Sequence, residues 1–228
     1  DPRVERRVIH SLGDARTVVN VGAGAGAYEP SDRAVVAVEP ATVMLRQRPS
    51  GSAPVVQAVA EDLPFADAQF DAAMASLTIH HWPDWRAGIR EMRRVARQRI
   101  VLFHFDLAHQ DRFWLVEHYL PEALALPAPS VEEIQAALGL RLRAEVVPVP
   151  SDCTDGFLCA YWARPEAYLD LDVRAAISTF HLLPDEVTTR AITALASDLD
   201  IGAWDARYGD LREQGELDLG YRLLVADL

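Results

Sequence analysis

Thr17-Val18-Val19-Asn20-Val21-Gly22-Ala23-Gly24-Ala25-Gly26-Ala27-Tyr28-Glu29, followed by Val35-Val36-Ala37-Val38-Glu39, decides how this chain is read. Two apolar runs rich in valine flank a segment with glycine at 22, 24 and 26. Such runs suit buried strands. The glycines permit positive φ and let a ligand come against the main chain where a Cβ would block it. Glu39, 13 residues after the last glycine, can accept both hydroxyls of a ribose. The stretch reads as strand, glycine turn and strand, with a nucleoside-bearing cofactor across the carboxyl ends of two parallel strands.

Outward from this stretch, strands and helices alternate. Ala41 to Gln47 carries helix formers behind Pro40, whose fixed φ suits a first helical turn. A third strand is expected over 54–59, a turn over 61–65 and a central strand over 70–77. The segment 85–96 has helical period with Ile89, Met92 and Val95 on one face, and 99–105 is the fifth strand. This order predicts a parallel sheet with helices on both faces. In the second half, 111–120 is aromatic, is bounded by Pro121 and reads as a short helix or lid. Ser130 and Glu133 form a capping box for a helix over 131–138, with Gly139 as its stop. A strand is expected over 141–149 and a short strand or extended segment over 157–162. The stretch 165–214 is mostly helical, with breaks at Pro184 and Gly202, and 219–226 is a last strand. The expectation is one domain over 1–228, with the helical stretch 165–214 inserted before its last strand as a cover.

Composition narrows the classes. Half of the 228 residues are hydrophobic, enough for a sizeable core. A formal charge of −12 works against a nucleic-acid partner, which requires a positive footprint. Arg90, Arg93, Arg94 and Arg97 fall at helical spacing and read as a solvated helix face. Cys153 and Cys159, six apart, match neither a zinc spacing nor a disulfide framework. There is no apolar run of the roughly 18 to 20 residues that span a bilayer, and no secretory start, so a soluble cytoplasmic protein without a membrane partner is expected.

Four motifs in succession carry a resemblance. They are Val-Asn-Val-Gly-Ala-Gly-Ala-Gly (19–26), Val-Glu-Pro with Met44 five residues after the Glu (38–44), Ala-Glu-Asp-Leu-Pro-Phe-Ala-Asp-Ala-Gln-Phe-Asp (60–71) and Ala-Ser-Leu-Thr-Ile-His-His-Trp (75–82). The set resembles class I S-adenosylmethionine (SAM)-dependent methyltransferases of the type 11 branch over about residues 15 to 105. The later layout is similar to trans-aconitate-type enzymes, whose inserted helices cover the substrate. The resemblance implies a Rossmann-like α/β fold: a seven-stranded, mostly parallel sheet of order 3-2-1-4-5-7-6, its last strand antiparallel, with helices on both faces. It also implies SAM as cofactor. Gly22 and Gly24 would pass beneath the methionine part, Glu39 would take the ribose hydroxyls, and Met44 would pack on the adenine or ribose, with Asn20, Ala23 and Pro40 in the same implied cofactor-binding set. Ala60 and Glu61 would border the adenine, and Ser76 and Leu77 would end the fourth strand near the sulfonium. Asn20 replaces the family's usual acid, and Val59 stands where many members have an Asp toward the adenine amine. A nicotinamide-binding fold would require G-x-G-x-x-G, whereas these glycines are spaced G-x-G-x-G.

A sulfonium methyl is already activated, so the protein must chiefly align an acceptor and remove a proton where needed. His80 and His81, after the fourth strand, are candidate general bases. In the alternative reading, His81 and Trp82 cap that strand and pack on the cofactor. His104 and Asp106 at the end of the fifth strand, Trp114 in the aromatic segment and Asp152 in the loop 151–156 are candidates to line an acceptor pocket. No closely spaced helical pair supports a metal among His80, His81, His104 and Asp106. The expected function is methyl transfer from SAM to a small organic acceptor. A SAM-binding module without turnover, acting through a partner, is the alternative. A carrier-bound or macromolecular acceptor is a third, and oligomeric state stays open.

Overall fold

Valines and alanines of Thr17–Val21 (β1) and Ala34–Val38 (β2) form adjacent parallel strands, with Thr17 opposite Ala34 and Val21 opposite Val38. The computed structural model describes residues 1–110 and 112–228, in two compact units. One comprises residues 2–105, 128–147 and 222–228; the other comprises 1, 106–127 and 148–221.

The larger unit begins with a helix the sequence reading had not anticipated, α1 (Pro2–Ser11), which buries Val4 and Val8 one turn apart. After β1 and β2 come α2 (Thr42–Gln47), β3 (Val55–Val56), β4 (Phe70–Ser76), α3 (Trp85–Val95) and β5 (Ala96–Phe105). The third strand is shorter than the expected 54–59, because only Val55 and Val56 pair with β2. Next are α5 (Val131–Leu138) and β6 (Arg143–Val146), and then β9 (Tyr221–Asp227), which starts at the unit boundary. The sheet has order β3-β2-β1-β4-β5-β9-β6, with β6 and β9 antiparallel. This is the Rossmann-like, mostly parallel sheet expected, its last strand inserted beside the fifth. Ser130 and Glu133 cap α5 reciprocally, and Gly139 ends it in the left-handed conformation.

Apolar side chains of Val19, Val21, Ala73, Ala75, Ile100 and Leu102 meet Ile89, Met92, Ile134 and Leu138 of α3 and α5 in one buried cluster. Alternation places Val18, Asn20, Met74, Ser76, Val101 and Phe103 on the opposite face. Arg90 and Arg93 are exposed on α3, as the spacing suggests, while Arg94 is half-buried and Arg97, exposed as well, falls in β5. Arg94 bonds Glu91 and Asp67, and Arg97 pairs with Asp71. At the amino ends of β1 and β4, Asp71 accepts from the backbone N–H groups of Arg16 and Thr17, both at 2.9 Å, and from the Thr17 hydroxyl and Arg97. These bonds, led by the Thr17 N–H, hold its carboxyl at a pKa of about 2.

The smaller unit holds α4 (Leu107–Gln110), a π-turn over Leu115–Tyr119, a strand pair β7 (Val149–Pro150) and β8 (Glu216–Leu217), and the helices α6 (Leu171–Ala176), α7 (Ser178–Leu182), α8 (Asp185–Asp200) and α9 (Ala203–Tyr208). The short helix expected over 111–120 is this π-turn in its later part; Asp111 lies outside the described residues. Helix breaks fall at Pro184 and Gly202, as expected. The segment 157–162 is not a strand but a run of turns. Tertiary bonds override its apolar pattern: the Cys159 N–H donates to the Tyr221 hydroxyl at 3.3 Å, and Trp162 Nε1 donates to the Val149 carbonyl at 3.0 Å. Burial pushes the Cys159 thiol up to about 12, which keeps it protonated and unreactive. No helix among the described residues is long and apolar enough to cross a membrane.

Candidate functional site

The site is built at the carboxyl ends of β1, β2 and β4. Gly22, Gly24 and Gly26 take φ of +69°, +52° and +98°, values that a β-carbon would strain. The turn is closed by the N–H groups of Gly22 and Ala23, which both donate to the Val38 carbonyl at 2.9 Å. A β-carbon on Gly22 would stand 2.3 Å from Thr78 Oγ1, and one on Gly24 would stand 3.3 Å from the Met44 methyl. The Thr78 and Met44 side chains therefore take the space that a side chain at 22 or 24 would need. Thr78, which the sequence reading passed over, packs directly on the turn.

Glu39 ends β2 at 7 % exposure. Its Oε2 accepts from the Gly24 N–H at 2.8 Å and its Oε1 from the Ala41 N–H at 2.9 Å. One main-chain donor per oxygen locks the carboxylate and leaves each oxygen a lone pair for a further donor, which fits a ribose diol. Pro40 is exposed beside it, its carbonyl accepting from Gln57 Nε2. Ala60 is buried, and Glu61 Oε1 accepts the Asp84 N–H at 3.1 Å, fastening the loop after β3 to the start of α3.

At the end of β4, Ser76 Oγ is buried without a hydrogen-bond partner. Leu77 follows at φ +50°, rare for a side-chain-bearing residue, with its N–H held by the Phe103 carbonyl at 2.8 Å. A 3-10 turn, Ile79–His81, then carries the two histidines, their ring centroids 3.9 Å apart. Burial, with smaller contributions from His81 and His104, pushes His80 down to a pKa of about 3, and its buried Nδ1 has no partner. His81 is exposed; desolvation still lowers its pKa, against an opposing pull from the Glu39 charge. Both rings are thus neutral at pH 7. The Trp82 indole lies in the core, where a β-carbon on Gly88 would come within 2.5 Å of its ring and 3.1 Å of the Ala60 Cβ. A glycine in mid-helix was the sequence signal for that contact.

The residues expected to line an acceptor pocket are divided between the units. His104, in the larger, is fully buried with Nε2 2.9 Å from the Pro129 carbonyl and its ring stacked on Phe105. In the smaller, Asp106 accepts from the Ala108 N–H and pairs with His109. Trp114 is buried there, donating to the Trp162 carbonyl at 2.8 Å, and Asp152 is exposed in a turn. Among the described residues, no group of three or more His, Cys, Asp or Glu is arranged to hold a metal.

A glycine cradle beside a locked carboxylate at the switch of a parallel sheet defines a nucleoside-cofactor protein. Residues 19–103 match the methyltransferase-domain family of type 11. A crystal structure of a protein assigned as a methyltransferase of an antibiotic biosynthesis pathway, from Anabaena variabilis, is 32 % identical. It superposes with a TM-score of 0.90 over 100 % of this chain and 98 % of that one. The chain belongs to the class I SAM-dependent methyltransferases, type 11 branch. It is also 33 % identical to the uncharacterized methyltransferase YcgJ of Bacillus subtilis, over 46 % of this chain and 42 % of that protein. It is 34 % identical to a demethylmenaquinone methyltransferase of Corynebacterium urealyticum, over 57 % and 58 %. The chain thus spans about half the length of the curated relatives it matches.

Proposed function

We propose that this chain binds SAM and transfers its methyl group to a small organic acceptor. The observation that carries the proposal is the Glu39 carboxylate, locked by Gly24 and Ala41 beside a turn that only glycine can form. Family membership supports it, as do relatives named for an antibiotic pathway and for demethylmenaquinone.

When bound, SAM supplies an electrophilic methyl on a positively charged sulfur. In this proposal Gly22, Ala23 and Gly24 pass beneath its amino-acid end, Glu39 and Pro40 hold the ribose, and Met44, Ala60 and Glu61 flank the adenine. Ser76 and Leu77 face the sulfur. The neutral His80 ring orients the acceptor through Nδ1, and His81 takes the proton that the acceptor loses. His104, Asp106, Trp114 and Asp152, with the helical stretch 165–214, are proposed to serve the acceptor. A cytoplasmic location is part of the same reading.

Calorimetry with SAM and S-adenosylhomocysteine (SAH) tests the cofactor. Isotope transfer from methyl-labelled SAM to a panel of quinols, phenols and amines tests the acceptor class. Failure of both cofactor forms to bind refutes the reading, and binding without transfer to any acceptor favours a module without turnover.

A further inference from the structure

Behind the glycine turn lies an ion pair that the site described above does not use. Arg48 Nη2 bonds both oxygens of Glu29 at 2.8 Å, and the two side chains are only 5 % and 8 % exposed. The same guanidinium donates to the Gly24 carbonyl at 3.3 Å and the Ala53 carbonyl at 3.2 Å, while Glu29 accepts the Ala53 N–H at 3.2 Å. A β-carbon on Gly26 would come 3.2 Å from Arg48 Nη1. The pair therefore lies directly against the turn. Pairs this buried contribute little net stability, since desolvation offsets their attraction.

Its contact with β1 points to a role. Asn20 Nδ2 donates to Glu29 Oε1 at 3.2 Å, which fixes the orientation of the amide. Asn20 Oδ1 is then turned away as an acceptor, buried and without a partner, on a residue only 1 % exposed. A buried acceptor left unpaired is rare in folded proteins and calls for a donor. We infer that the Glu29–Arg48 pair is a positioning device that aims the Asn20 carbonyl at the ammonium of the cofactor's amino-acid end.

This inference rests on the SAM reading above and goes beyond it. With the ribose held at the end of β2 between β3 and β1, an amino-acid end directed toward β1 and β4 would meet Asn20 and the unpartnered Ser76 hydroxyl, which lie on one face. The identity of residue 20 follows as well. A carboxylate there would stand at hydrogen-bond distance from Glu29, with one arginine for two charges. The amide avoids that repulsion and keeps an acceptor toward the ligand.

The test compares SAH with 5′-methylthioadenosine, which has the adenosine and sulfur but no amino acid, by calorimetry on the full chain. Glu29→Gln and Asn20→Asp should each weaken SAH at least tenfold and change methylthioadenosine less than threefold. The double variant Asn20→Asp/Glu29→Gln, which moves the acid to position 20, should bring SAH back to within threefold of wild type. Asn20→Ala, which leaves the ion pair in place, should lose SAH selectively and serves if the charge variants do not fold. Equal weakening of both ligands would show mere loosening of the turn and overturn the inference. So would Asn20→Asp binding SAH as well as wild type. A wild-type protein that binds neither ligand would instead refute the cofactor reading itself.

Discussion

Replacing Glu39 by alanine separates the two duties its carboxylate performs. The first is internal: two bonds from main-chain N–H groups, at 2.8 Å to Gly24 and 2.9 Å to Ala41. Bonds to a charged acceptor are worth about 1.5–3 kcal/mol each, and water entering the vacated space would re-pair part of the loss, so the unliganded protein should lose about 1–3 kcal/mol. The second duty is the proposed grip on the ribose. Losing it should cost about 1–3 kcal/mol of binding, roughly a 5- to 150-fold rise in the Kd for SAH. Glutamine should do little better than alanine. Its amide can accept from only one of the two N–H groups and would set its own donor against the other. Calorimetry with SAH at 25 °C, paired with chemical denaturation of the unliganded variants, reads the two effects apart. A variant that is destabilised but binds SAH within twofold of wild type would remove Glu39 from the ribose and refute the reasoning.

Three further outcomes are expected. His80 has a pKa pushed down from 6.5 to about 3, so the unfolded chain takes up a proton that the folded one refuses. Its contribution is intact above about pH 6.5 and lost as pH falls toward 3, up to about 2–3 kcal/mol between pH 6.5 and 4.5; urea denaturation should show that slope flattened in His80→Phe, and an unchanged slope would contradict it. Gly22→Ala should cost about 2 kcal/mol or more, because its β-carbon meets Thr78 Oγ1 at 2.3 Å in a backbone at φ +69°. Adding Thr78→Ala should recover the clash but not the strain, and a Gly22→Ala protein as stable as wild type in urea would refute the geometry. Asp71→Ala should lower stability by about 2–4 kcal/mol by freeing the N–H groups of Arg16 and Thr17, with cofactor affinity unchanged because the clamp lies at the opposite strand ends; a selective loss of SAH binding would argue otherwise.

What the sequence disclosed was governed by chemistry local to the chain. Glycines 22 to 26 mark their turn, Ser130 and Glu133 start α5, Gly139 stops it, and Pro184 and Gly202 divide the later helices, because each acts on residues within a turn or two. What stayed hidden depends on partners distant in the chain. The turns over 157–162 answer to Tyr221 and Val149, and the length of β3 is set by where β2 can pair with it. Glu29 stood in the deciding stretch unread, since its partner Arg48 lies 19 residues on. Two local signals are nonetheless present in the chain, Val4 and Val8 one turn apart in α1 and Gly88 within α3 against Trp82.

The two ends of the central strands show where folding and function divide. At the amino ends, Asp71 has a donor on each oxygen and ties β4 to β1. At the carboxyl ends the pattern reverses. Asn20 Oδ1, Ser76 Oγ and His80 Nδ1 are buried without partners. Tyr28 and Leu77 take positive φ here, with Gly22, Gly24 and Gly26, while Gly13 and Ala68 do so before the amino ends of β1 and β4. Unpaired polar atoms and left-handed backbone each cost free energy that a fold selected for stability alone would remove. The gathering of unpaired polar atoms at the carboxyl ends of β1 and β4, against the fully bonded Asp71 carboxylate at the amino ends, is what a ligand-completed site requires. Donors from a bound cofactor and acceptor would supply the missing partners, so binding and local ordering should be coupled at this end and absent at the other.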